Sequence, residues 1–466
     1  MKNMTLTNIA KACGGTLFGI KSPEAQAAQI AGEQEVVSIV LDSRKVEAGS
    51  VFIATKGETV DGHSFISQVA DKGALGVVCQ EKPEKENIPY ILVEDSFIAL
   101  KKIAEFYREQ LQIRVVGITG SVGKTSTKEF VAGVLETKYK VLKTAGNFNN
   151  EVGLPLTVLQ IRPEHEVAVL EMGISNFGEM HRLSKIAKPD ICVMTNIGQC
   201  HLEFLGTREG ILQAKSEIFD FMEELAPACL NGDDDMLQRV GTQKACTPVY
   251  YGLSTEHDVY GTDIMNHGLF GSTVTIHTKE ESFTADVPLP GIHMVYNALA
   301  ATAVGIQMGL STAQIKEGIE KVQAVGGRSN IMKLQECTLI DDCYNANPVS
   351  MKAAIDLLNM ALGRKVAILG DMFELGEQEK KMHAEVGSYA AAKGLDVLCC
   401  VGKLSKNMEE AAREAENKTK IYYFENREAL LADIEQIFQP QDTILIKASH
   451  GMGFDEVVKK LENFFK

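Results

Sequence analysis

The chain has 466 residues, of which 45% are hydrophobic and 23% are charged, and its formal net charge at pH 7 is −15. Because one hydrophobic core rarely serves so long a chain, this length predicts two to four domains of a soluble globular protein. The acidic balance argues against an extended nucleic-acid footprint, which needs a concentrated basic surface, but small anionic substrates can still be held by local cations and helix N-termini.

Cysteine usage and the N-terminal segment bear on the cellular compartment. The ten cysteines are scattered without a C-x-x-C pair, which predicts reduced thiols that serve mainly in packing. The first residues, MKNMTLTNIAKACGG, lack the continuous apolar stretch of a signal peptide. No run of about 18 apolar residues, as a membrane-spanning helix requires, occurs in the sequence. We therefore expect a cytoplasmic protein without a membrane span.

The first 95 residues predict a mixed α/β domain. Short apolar runs of strand length are separated by glycine-containing turns, namely VVSIVLD, SVFIAT, LGVVCQ and YILVED. The next segment, FIALKKIAEFYREQ at 97–110, has apolar residues at helical spacing. This helix is predicted to connect the first domain, residues 1–95, to the second.

Residues 96–325 predict a central domain with a mainly parallel sheet. The apolar runs IRVVGITG, VAVLEMG and ICVMTNIG each precede a helical stretch, which is typical of parallel strands covered by helices on both faces. A polar β-like insert, VYGTDIMNHGLFGSTVTIHTKEESFTADVPLP, precedes the helical segment ALAATAVGIQMG. The paired glycines of KVQAVGGRSN mark the predicted end of this domain.

Residues 326–466 repeat the alternation and predict a Rossmann-like, doubly wound domain. Helical stretches, including 349–361 and one that runs through Ala390, separate the strand-like segments TLIDDCY, KVAILGDM, LDVLCCVG, KIYYF and TILIKAS. The predicted fold class is therefore α/β, with a mixed N-terminal domain, a central domain with a mainly parallel sheet and a Rossmann-like C-terminal domain.

The strand RVVGIT runs into a segment with the composition of a phosphate-binding loop. Small residues let backbone N–H groups turn toward an anion, the following helix adds its dipole, and lysine and threonine supply contacts to phosphate and magnesium. The strict pattern has glycine at position 118, where this chain has Ile118. The strand that precedes this segment and the helix that follows it still predict a nucleotide-binding site. Its residues are Gly120, Ser121, Val122, Gly123, Lys124, Thr125 and Ser126.

Three further residues are candidates with ordinary alternatives. Glu171 ends the apolar strand VAVL, and His201 follows the strand ICVMTN after a short turn. Because the carboxyl ends of parallel strands converge on one crevice, both can share a site with the phosphate loop. Taken alone, a glutamate at a strand end is more often solvated or a cap, and a lone histidine is more often structural. Lys215 lies in the helical stretch ILQAKSEIFDFM, where a surface lysine is the simpler interpretation.

Eight ordered motifs and the N-terminal segment DSRKVEAGSVFIATKGETVDGHSFI resemble the Mur ligases, and the resemblance covers nearly the whole chain. It implies a central P-loop ATPase and an enzyme of peptidoglycan precursor synthesis. The motifs are GITGSVGKTS, TAGNFNNEVGLPLT, EMGISNFGEM, TNIGQCHLEFLG, AKSEIF, PGIHMVYNALAA, DDCYNANPVSM and LGDMFELG.

Within the family, the motifs are most similar to the members that join D-alanyl-D-alanine to UDP-N-acetylmuramoyl-tripeptide. The reaction that this implies begins when ATP phosphorylates the terminal carboxylate, and the incoming amine then attacks the acyl phosphate. The chemistry requires such a route, because a carboxylate is a poor electrophile and the site must neutralise charge in both steps. We expect a monomer that binds these two substrates and neither nucleic acid nor membrane.

The resemblance also implies roles for individual residues around ATP. Lys124 and the loop amides hold the β and γ phosphates, while Thr125 and Glu171 hold one Mg²⁺ ion. His201, with Lys215 as a carbamate, holds a second. A carbamate would turn the cationic lysine into an anionic oxygen ligand, which suits a hard metal.

Further nucleotide contacts are implied on both sides of the second domain boundary. Asn297 resembles the residue that contacts adenine, although Met294 stands where asparagine is commoner, and a helix N-cap is an alternative. Arg328, Asp342 and Asn345 resemble residues that reach ATP when the C-terminal domain closes. For Asp342, a turn residue beside its neighbouring aspartate is the alternative.

The implied contacts to the UDP-linked substrate are spread over two domains. The DSRKV and DGHSF segments resemble the part that contacts UDP, and the paired asparagines of GNFNNEVG resemble the part that positions the muramoyl peptide. The residues are Ser43, Arg44, Asp61 and His63 for UDP and Asn149 and Asn150 for the peptide.

Three alternatives stay open. One is a Mur ligase that adds diaminopimelate or lysine as the third residue; its diaminopimelate form carries D-N-P-R, whereas this chain has N-A-N-P at 345–348. A P-loop regulator would hydrolyse ATP without an amine substrate. Folylpolyglutamate synthase shares the central ATPase but is expected to lack the N-terminal UDP-binding segments.

The segment KASHGMGF at 447–454 departs from the family pattern around His450.

Overall fold

Three sheets follow one another along the chain. The structure, a computed structural model, describes residues 1–19, 32–57, 60–85, 87–240, 245–415 and 418–465. The strands of the three sheets lie within 16–92, 114–287 and 330–447. The predicted α/β class and its three successive units are confirmed. The exact domain boundaries after residues 95 and 325 stay predictions, and both fall between sheets.

The first unit is a five-stranded sheet in the order β1-β5-β4-β3-β2. Only the β1–β5 pair is antiparallel among its described pairs, which makes the unit mixed α/β, as expected. Its elements are β1 (Thr16–Phe18), β2 (Ile39–Val40), β3 (Val51–Ile53), β4 (Gly76–Cys79), β5 (Tyr90–Leu92), α1 (Leu6–Cys13) and α2 (Ile66–Asp71).

A long helix, α3 (Ser96–Glu109), joins the first unit to the second, close to the predicted 97–110. The Asp95 carboxylate caps it by accepting from the Ile98 amide at 2.8 Å. Its apolar face packs on α1 and enters a core that also contains residues of the central sheet. The Tyr107 hydroxyl donates to the Ile161 carbonyl at 2.6 Å. The first two units are therefore fastened through this helix.

The central unit has nine strands in the order β14-β13-β12-β11-β10-β9-β6-β8-β7. Pairing is parallel from β7 to β12, and the polar insert forms the antiparallel extension β12–β14. The strands are β6 (Arg114–Thr119), β7 (Val141–Lys143), β8 (Val167–Glu171), β9 (Ile191–Met194), β10 (Pro227–Asn231), β11 (Thr247–Gly252), β12 (Val259–Asn266), β13 (Ser272–His277) and β14 (Ser282–Val287).

The order of these strands places the candidate residues together. Because β6 lies between β8 and β9, the carboxyl ends of these three parallel strands are adjacent. Helix α9 is buried along most of its length and packs on α4. The helices are α4 (Lys124–Glu136), α5 (Gly153–Val158), α6 (Glu179–Ala187), α7 (Leu202–Leu205), α8 (Arg208–Ser216), α9 (Ile292–Gln307) and α10 (Thr312–Glu320).

The C-terminal unit has six strands in the order β15-β16-β20-β17-β18-β19. Its described pairs are parallel except for β15 with β16, so the doubly wound prediction holds. The strands are β15 (Asn330–Lys333), β16 (Thr338–Asp341), β17 (Lys365–Gly370), β18 (Val397–Val401), β19 (Lys420–Phe424) and β20 (Thr443–Lys447).

Helices cover both faces of this sheet. The predicted 349–361 helix begins at Pro348, because the Asn347 side chain accepts from the Ser350 amide at 2.9 Å and proline suits the first helical position. The helices are α11 (Pro348–Asn359), α12 (Glu379–Ala392), α13 (Lys406–Glu414), α14 (Arg427–Ala432), α15 (Ile434–Ile437) and α16 (Asp455–Phe464).

Composition predicted reduced thiols and no membrane span. All ten cysteines are buried and none forms a disulfide, as their spacing predicted. Within the described ranges, no helix combines the length and the apolar character that crossing a membrane needs.

Candidate active site

Two glycines shape the phosphate loop between β6 and α4. Gly120 has φ +145°, and a Cβ atom there would lie 2.0 Å from the Thr195 hydroxyl oxygen. Gly123 has φ +86° and starts α4. Ile118, which replaces the first glycine of the strict pattern, is a fully buried residue of β6 between β8 and β9. The loop turns after Thr119, so glycine is not required at 118.

Asn196, which the sequence analysis missed, holds the loop in place. Its carbonyl accepts from the Ser121 amide at 2.9 Å, and its side-chain oxygen accepts from the Val122 amide at 3.0 Å. Its side-chain amide donates to the Val122 carbonyl at 3.0 Å. These two loop amides are therefore already bonded. The N–H groups at the start of α4, which lack partners within a helix, are the ones left to face an anion.

Lys124 and Thr125 point from the first turn of α4 into different surroundings. The Lys124 ammonium donates to the Gly120 carbonyl at 2.8 Å, which bends the side chain back over the loop. Thr125 is buried, and its hydroxyl donates to Oε2 of Glu171 at 2.7 Å. The last residue of β8 thus reaches the first turn of α4.

Glu171 is buried rather than solvated, with 1% of its surface exposed. Its Oε1 accepts from the Asn149 side-chain amide at 2.7 Å, while Oε2 accepts from Thr125. Both donors are neutral. A buried carboxylate whose two oxygens accept only from neutral side chains is suited to a bound cation.

Lys215 is fully buried in the last turn of α8, so the interpretation as a surface lysine is wrong. Its Nζ has no hydrogen-bond partner. The pKa of this lysine is lowered to about 8, mainly by burial; Cys200 opposes the shift and the charge of Lys124 adds to it. An unpartnered amine of this kind is an unusual core feature, because buried polar atoms nearly always have a partner.

His201 begins α7 in a left-handed backbone conformation, with φ +54°. Its Nδ1 lies 2.6 Å from Oε2 of Glu374, which belongs to the C-terminal unit. This contact lowers the pKa of the Glu374 carboxyl, although partial burial opposes the shift. Glu374 lies within the LGDMFELG motif, but no pattern in the sequence pointed to its contact with His201.

A cavity of about 740 Å³ opens between the central and C-terminal units and brings most of the predicted residues together. Three other predicted residues of these units, Gly120, Thr125 and Lys215, do not line it, although Thr125 donates to Glu171, which does. The predicted residues that line the cavity are Ser121, Val122, Gly123, Lys124, Ser126, Asn149, Asn150, Glu171, His201, Asn297, Arg328, Asp342 and Asn345.

Asn297 lies in the second turn of α9, so the alternative of a helix N-cap is wrong for this residue. Gly291 occupies the N-cap position. The Asn297 side-chain oxygen accepts from Thr127 in α4 at 2.8 Å, and its amide donates to the sulfur of Met294 at 3.4 Å. Met294 thus supports Asn297 where the family more often has asparagine.

Asp342 does more than support a local turn, because its side chain links three segments of the C-terminal unit. Oδ1 accepts from the Ser329 amide at 2.8 Å, and Oδ2 accepts from Lys447 at 2.6 Å. Lys447, the last residue of β20, also donates to the Asn345 carbonyl at 2.9 Å. The sequence analysis missed Lys447, although its place at a strand's carboxyl end is the same signal that singled out Glu171.

Arg328 and His450 flank one aromatic ring at the C-terminal side of the cavity. The Arg328 guanidinium lies 3.9 Å from the centre of the Tyr344 ring, and the His450 ring lies 5.3 Å from it. The departure of KASHGMGF from the family pattern therefore places an imidazole where it packs beside Tyr344.

The four residues predicted to contact UDP do not line this cavity. The Arg44 guanidinium donates two hydrogen bonds to the Asp42 carboxylate and the Arg44 amide donates a third, each 2.9 Å. They lower the pKa of that carboxyl to about 2, and the arginine side chain is 87% exposed. His63 contacts Asp61 through Nδ1 at 2.7 Å, and its Nε2 accepts from the Gln80 amide at 3.0 Å. Their role stays a prediction, as does that of Ser43.

The paired asparagines take different local roles. Asn149 orients Glu171, as described above. The Asn150 side-chain oxygen accepts from the amides of Val152 at 3.1 Å and Gly153 at 2.8 Å, and so supports the start of α5. Their predicted contact with the peptide stays a prediction.

Family models match three consecutive stretches of the chain. They are described as Mur ligase family, catalytic domain, at 35–119, as Mur ligase middle domain at 118–305, and as Mur ligase, glutamate ligase domain, at 327–450. A relative from Bacillus subtilis (strain 168), UDP-N-acetylmuramoyl-tripeptide–D-alanyl-D-alanine ligase, is 38% identical over 99% of both chains. The chain belongs to the Mur ligase family.

Other relatives of this Mur ligase are similar over its whole length. The protein of the same name from Escherichia coli (strain K12) is 34% identical over 96% of this chain and 97% of its own. A solved structure described as crystal structure I of MurF from Acinetobacter baumannii has a TM-score of 0.88 and 31% identity, covering 99% of both chains. The resemblance inferred from the motifs is therefore confirmed.

Proposed function

We propose that this Mur ligase joins D-alanyl-D-alanine to UDP-N-acetylmuramoyl-tripeptide with ATP, giving the UDP-muramoyl-pentapeptide. The observation that carries the proposal is the match over nearly the full length of relatives named for this reaction. The cavity between the central and C-terminal units supports it, because it gathers residues suited to phosphate, to cations and to a nucleotide.

The reaction proceeds in two steps. An oxygen of the substrate's terminal carboxylate attacks the γ-phosphorus of ATP, ADP leaves, and an acyl phosphate forms. The amine of the dipeptide then attacks the acyl carbon, the C–O bond to phosphate breaks, and the nitrogen loses a proton as inorganic phosphate departs. The N–H groups of the first turn of α4 and the Lys124 ammonium offset the phosphate charge that both steps concentrate.

Two magnesium sites fit the side chains around Glu171. Thr125 and Glu171 would hold one ion, and His201 with Lys215 would hold the other. When bound, magnesium neutralises phosphate charge and orients the transferring group. No group of three or more His, Cys, Asp or Glu side chains among the described residues forms a metal cluster by itself. In this proposal a carbamate on Lys215 would supply an anionic oxygen ligand beside His201.

Lys215 suits carbamylation for two physical reasons. Its pKa of about 8 leaves a substantial neutral fraction near pH 7.5, and only the neutral amine attacks carbon dioxide. The product, a carbamate with loss of one proton, replaces an unpartnered buried cation by an anion. Such an anion is a good oxygen ligand for a hard divalent metal.

The remaining predicted residues receive the substrates. Asn297 faces the base of ATP from the central unit, and Arg328, Asp342 and Asn345 meet the nucleotide from the C-terminal unit. Asn149 and Asn150 lie at the side where the muramoyl peptide enters. The N-terminal unit holds UDP through Ser43, Arg44, Asp61 and His63.

The protein works as a monomer in the cytoplasm under this proposal. ATP and UDP-linked precursors are cytoplasmic metabolites, and the ten thiols without a disulfide agree with a reducing compartment.

A substrate panel analysed by mass spectrometry tests the proposal. With ATP and Mg²⁺, the purified enzyme should convert UDP-muramoyl-tripeptide and D-alanyl-D-alanine into the pentapeptide product. It should form no product from UDP-muramoyl-dipeptide with diaminopimelate or lysine. If product forms only when UDP-muramoyl-dipeptide is the acceptor, the chain belongs with the ligases that add the third residue, and the proposal is refuted.

A further inference from the structure

The central and C-terminal units meet at a contact that lies beside the proposed metal site. His201 Nδ1 lies 2.6 Å from the Glu374 carboxylate, and a Cβ atom at Gly376 would lie 3.5 Å from Cα of Glu203. Leu202 packs against the cores of both units. The short helix α7 is therefore seated on the loop that follows β17.

Both partners of this contact are held in an uncommon backbone conformation. His201 has φ +54° and Glu374 has φ +61°. Residues with a Cβ atom seldom adopt this left-handed region, and such conformations cluster at functional sites. The surrounding packing must hold both loops, since the conformation is unfavourable for each residue by itself.

The geometry divides the two nitrogens of the imidazole between two tasks. Nδ1 is buried and lies 2.6 Å from Oε2 of Glu374, close enough for an ion pair but not aligned as a hydrogen bond, whereas the ring also lines the cavity. Nε2 is therefore the nitrogen left to bind a metal. In metal sites, a carboxylate on the far nitrogen of a histidine fixes its tautomer and orientation and makes it a better ligand.

We propose that Glu374 is a positioning residue that acts through His201 and orients its imidazole toward the metal from the C-terminal unit. The inference rests on the metal role of His201 in the proposed function. Its consequence is that the metal site is complete only when the two units are in contact. Metal affinity and domain closure are then linked through one side chain.

Mn²⁺ binding measured by electron paramagnetic resonance tests this inference without turnover. The full-length protein is titrated with Mn²⁺ in the presence of a non-hydrolysable ATP analogue and UDP-muramoyl-tripeptide. Glu374→Ala should weaken the His201-dependent Mn²⁺ site about tenfold or more. Glu374→Gln, which keeps an oxygen beside Nδ1 but removes the charge, should recover part of the affinity. Glu377→Ala, which removes an exposed acid of the same loop, should leave it unchanged.

A double substitution separates positioning from a general effect on the fold. In a His201→Ala background, Glu374→Ala should cause no further loss of Mn²⁺ affinity, because its effect passes through the imidazole. Affinity of Glu374→Ala within twofold of the parent, or equal losses in both backgrounds, would overturn the inference. A parent protein without any His201-dependent Mn²⁺ site would instead refute the metal role in the proposed function.

Discussion

Burial decides the interpretation of Glu171 and Lys215. Both residue types are usually solvated, yet here one carboxylate has neutral donors on both oxygens and one amine has no partner. Burying these two groups without a compensating charge lowers the stability of the folded protein. A cation at Glu171 and an added carboxylate at Lys215 would each relieve that cost.

Substitution of Glu171 should separate a metal ligand from the group that orients it. Glu171→Ala should lower kcat by at least a hundredfold, about 3 kcal/mol or more, because phosphate charge loses its counter-ion. Asn149→Ala removes the donor to Oε1 of Glu171 and should lower kcat about tenfold. The two rates are measured by phosphate release at saturating Mg²⁺, after melting curves confirm folding. A Glu171→Ala rate within threefold of the parent would exclude the ligand role.

The pKa of Lys215 predicts a pH dependence of stability in buffer free of carbon dioxide. The folded pKa is about 8 against an ordinary 10.5, so the folded protein releases its proton first. Below pH 8 both states are protonated, and the buried charge costs roughly 3 kcal/mol. That cost is lost progressively as the pH rises from 8 to 10.5.

Lys215→Met therefore should be more stable than the parent protein at pH 7, and the difference should shrink between pH 8 and pH 10.5. Urea unfolding midpoints of both proteins across this range provide the measurement. A difference that is constant with pH would show that Lys215 has an ordinary pKa in the folded protein.

At the scale of elements, the alternation of strands and helices predicted which residues lie together at the site. Alternating strands and helices located the carboxyl ends of β6, β8 and β9, and with them the phosphate loop, Glu171 and His201. The start of α9 was misplaced, although the Pro290–Gly291 pair before Ile292 is a helix-start signal. Contacts such as His201 with Glu374 could not be predicted, because periodicity carries no information on pairs so distant in sequence.

The phosphate loop should depend on its bracing by Asn196. Asn196→Ala removes the side-chain bonds to both polar groups of the Val122 backbone and should lower stability by about 1–2 kcal/mol. With the loop less ordered, the KM for ATP should rise about tenfold. Asn266→Ala, at an exposed position on the insert strand β12, serves as the matched control. Equal KM values for both variants would show that the loop holds its shape without Asn196.

The whole molecule divides the nucleotide site between two units. Lys124 and Asn297 line the cavity from the central unit, and Asp342 and Asn345 line it from the C-terminal one. A ligand that contacts both sides favours their closed arrangement, because its contacts are complete only there. The family resemblance predicted this division, because it placed residues of both domains on ATP, whereas the pattern of strands and helices placed each residue only on its own sheet.

Solution scattering should detect this closure. ATP analogue and UDP-muramoyl-tripeptide together should reduce the radius of gyration below that of the free protein, and Asp342→Ala should weaken the response. Each ligand alone should give a smaller change. An unchanged radius with both ligands bound would contradict closure.

The dependence of phosphate release on each substrate tests the central claim most directly. With ATP and Mg²⁺ present, release is measured with both substrates, with either one, and with neither. Formation and capture of an acyl phosphate predict sustained release only when UDP-muramoyl-tripeptide and D-alanyl-D-alanine are both present. Equal release with neither substrate would contradict the ligase mechanism and indicate an ATPase that works without an amine acceptor.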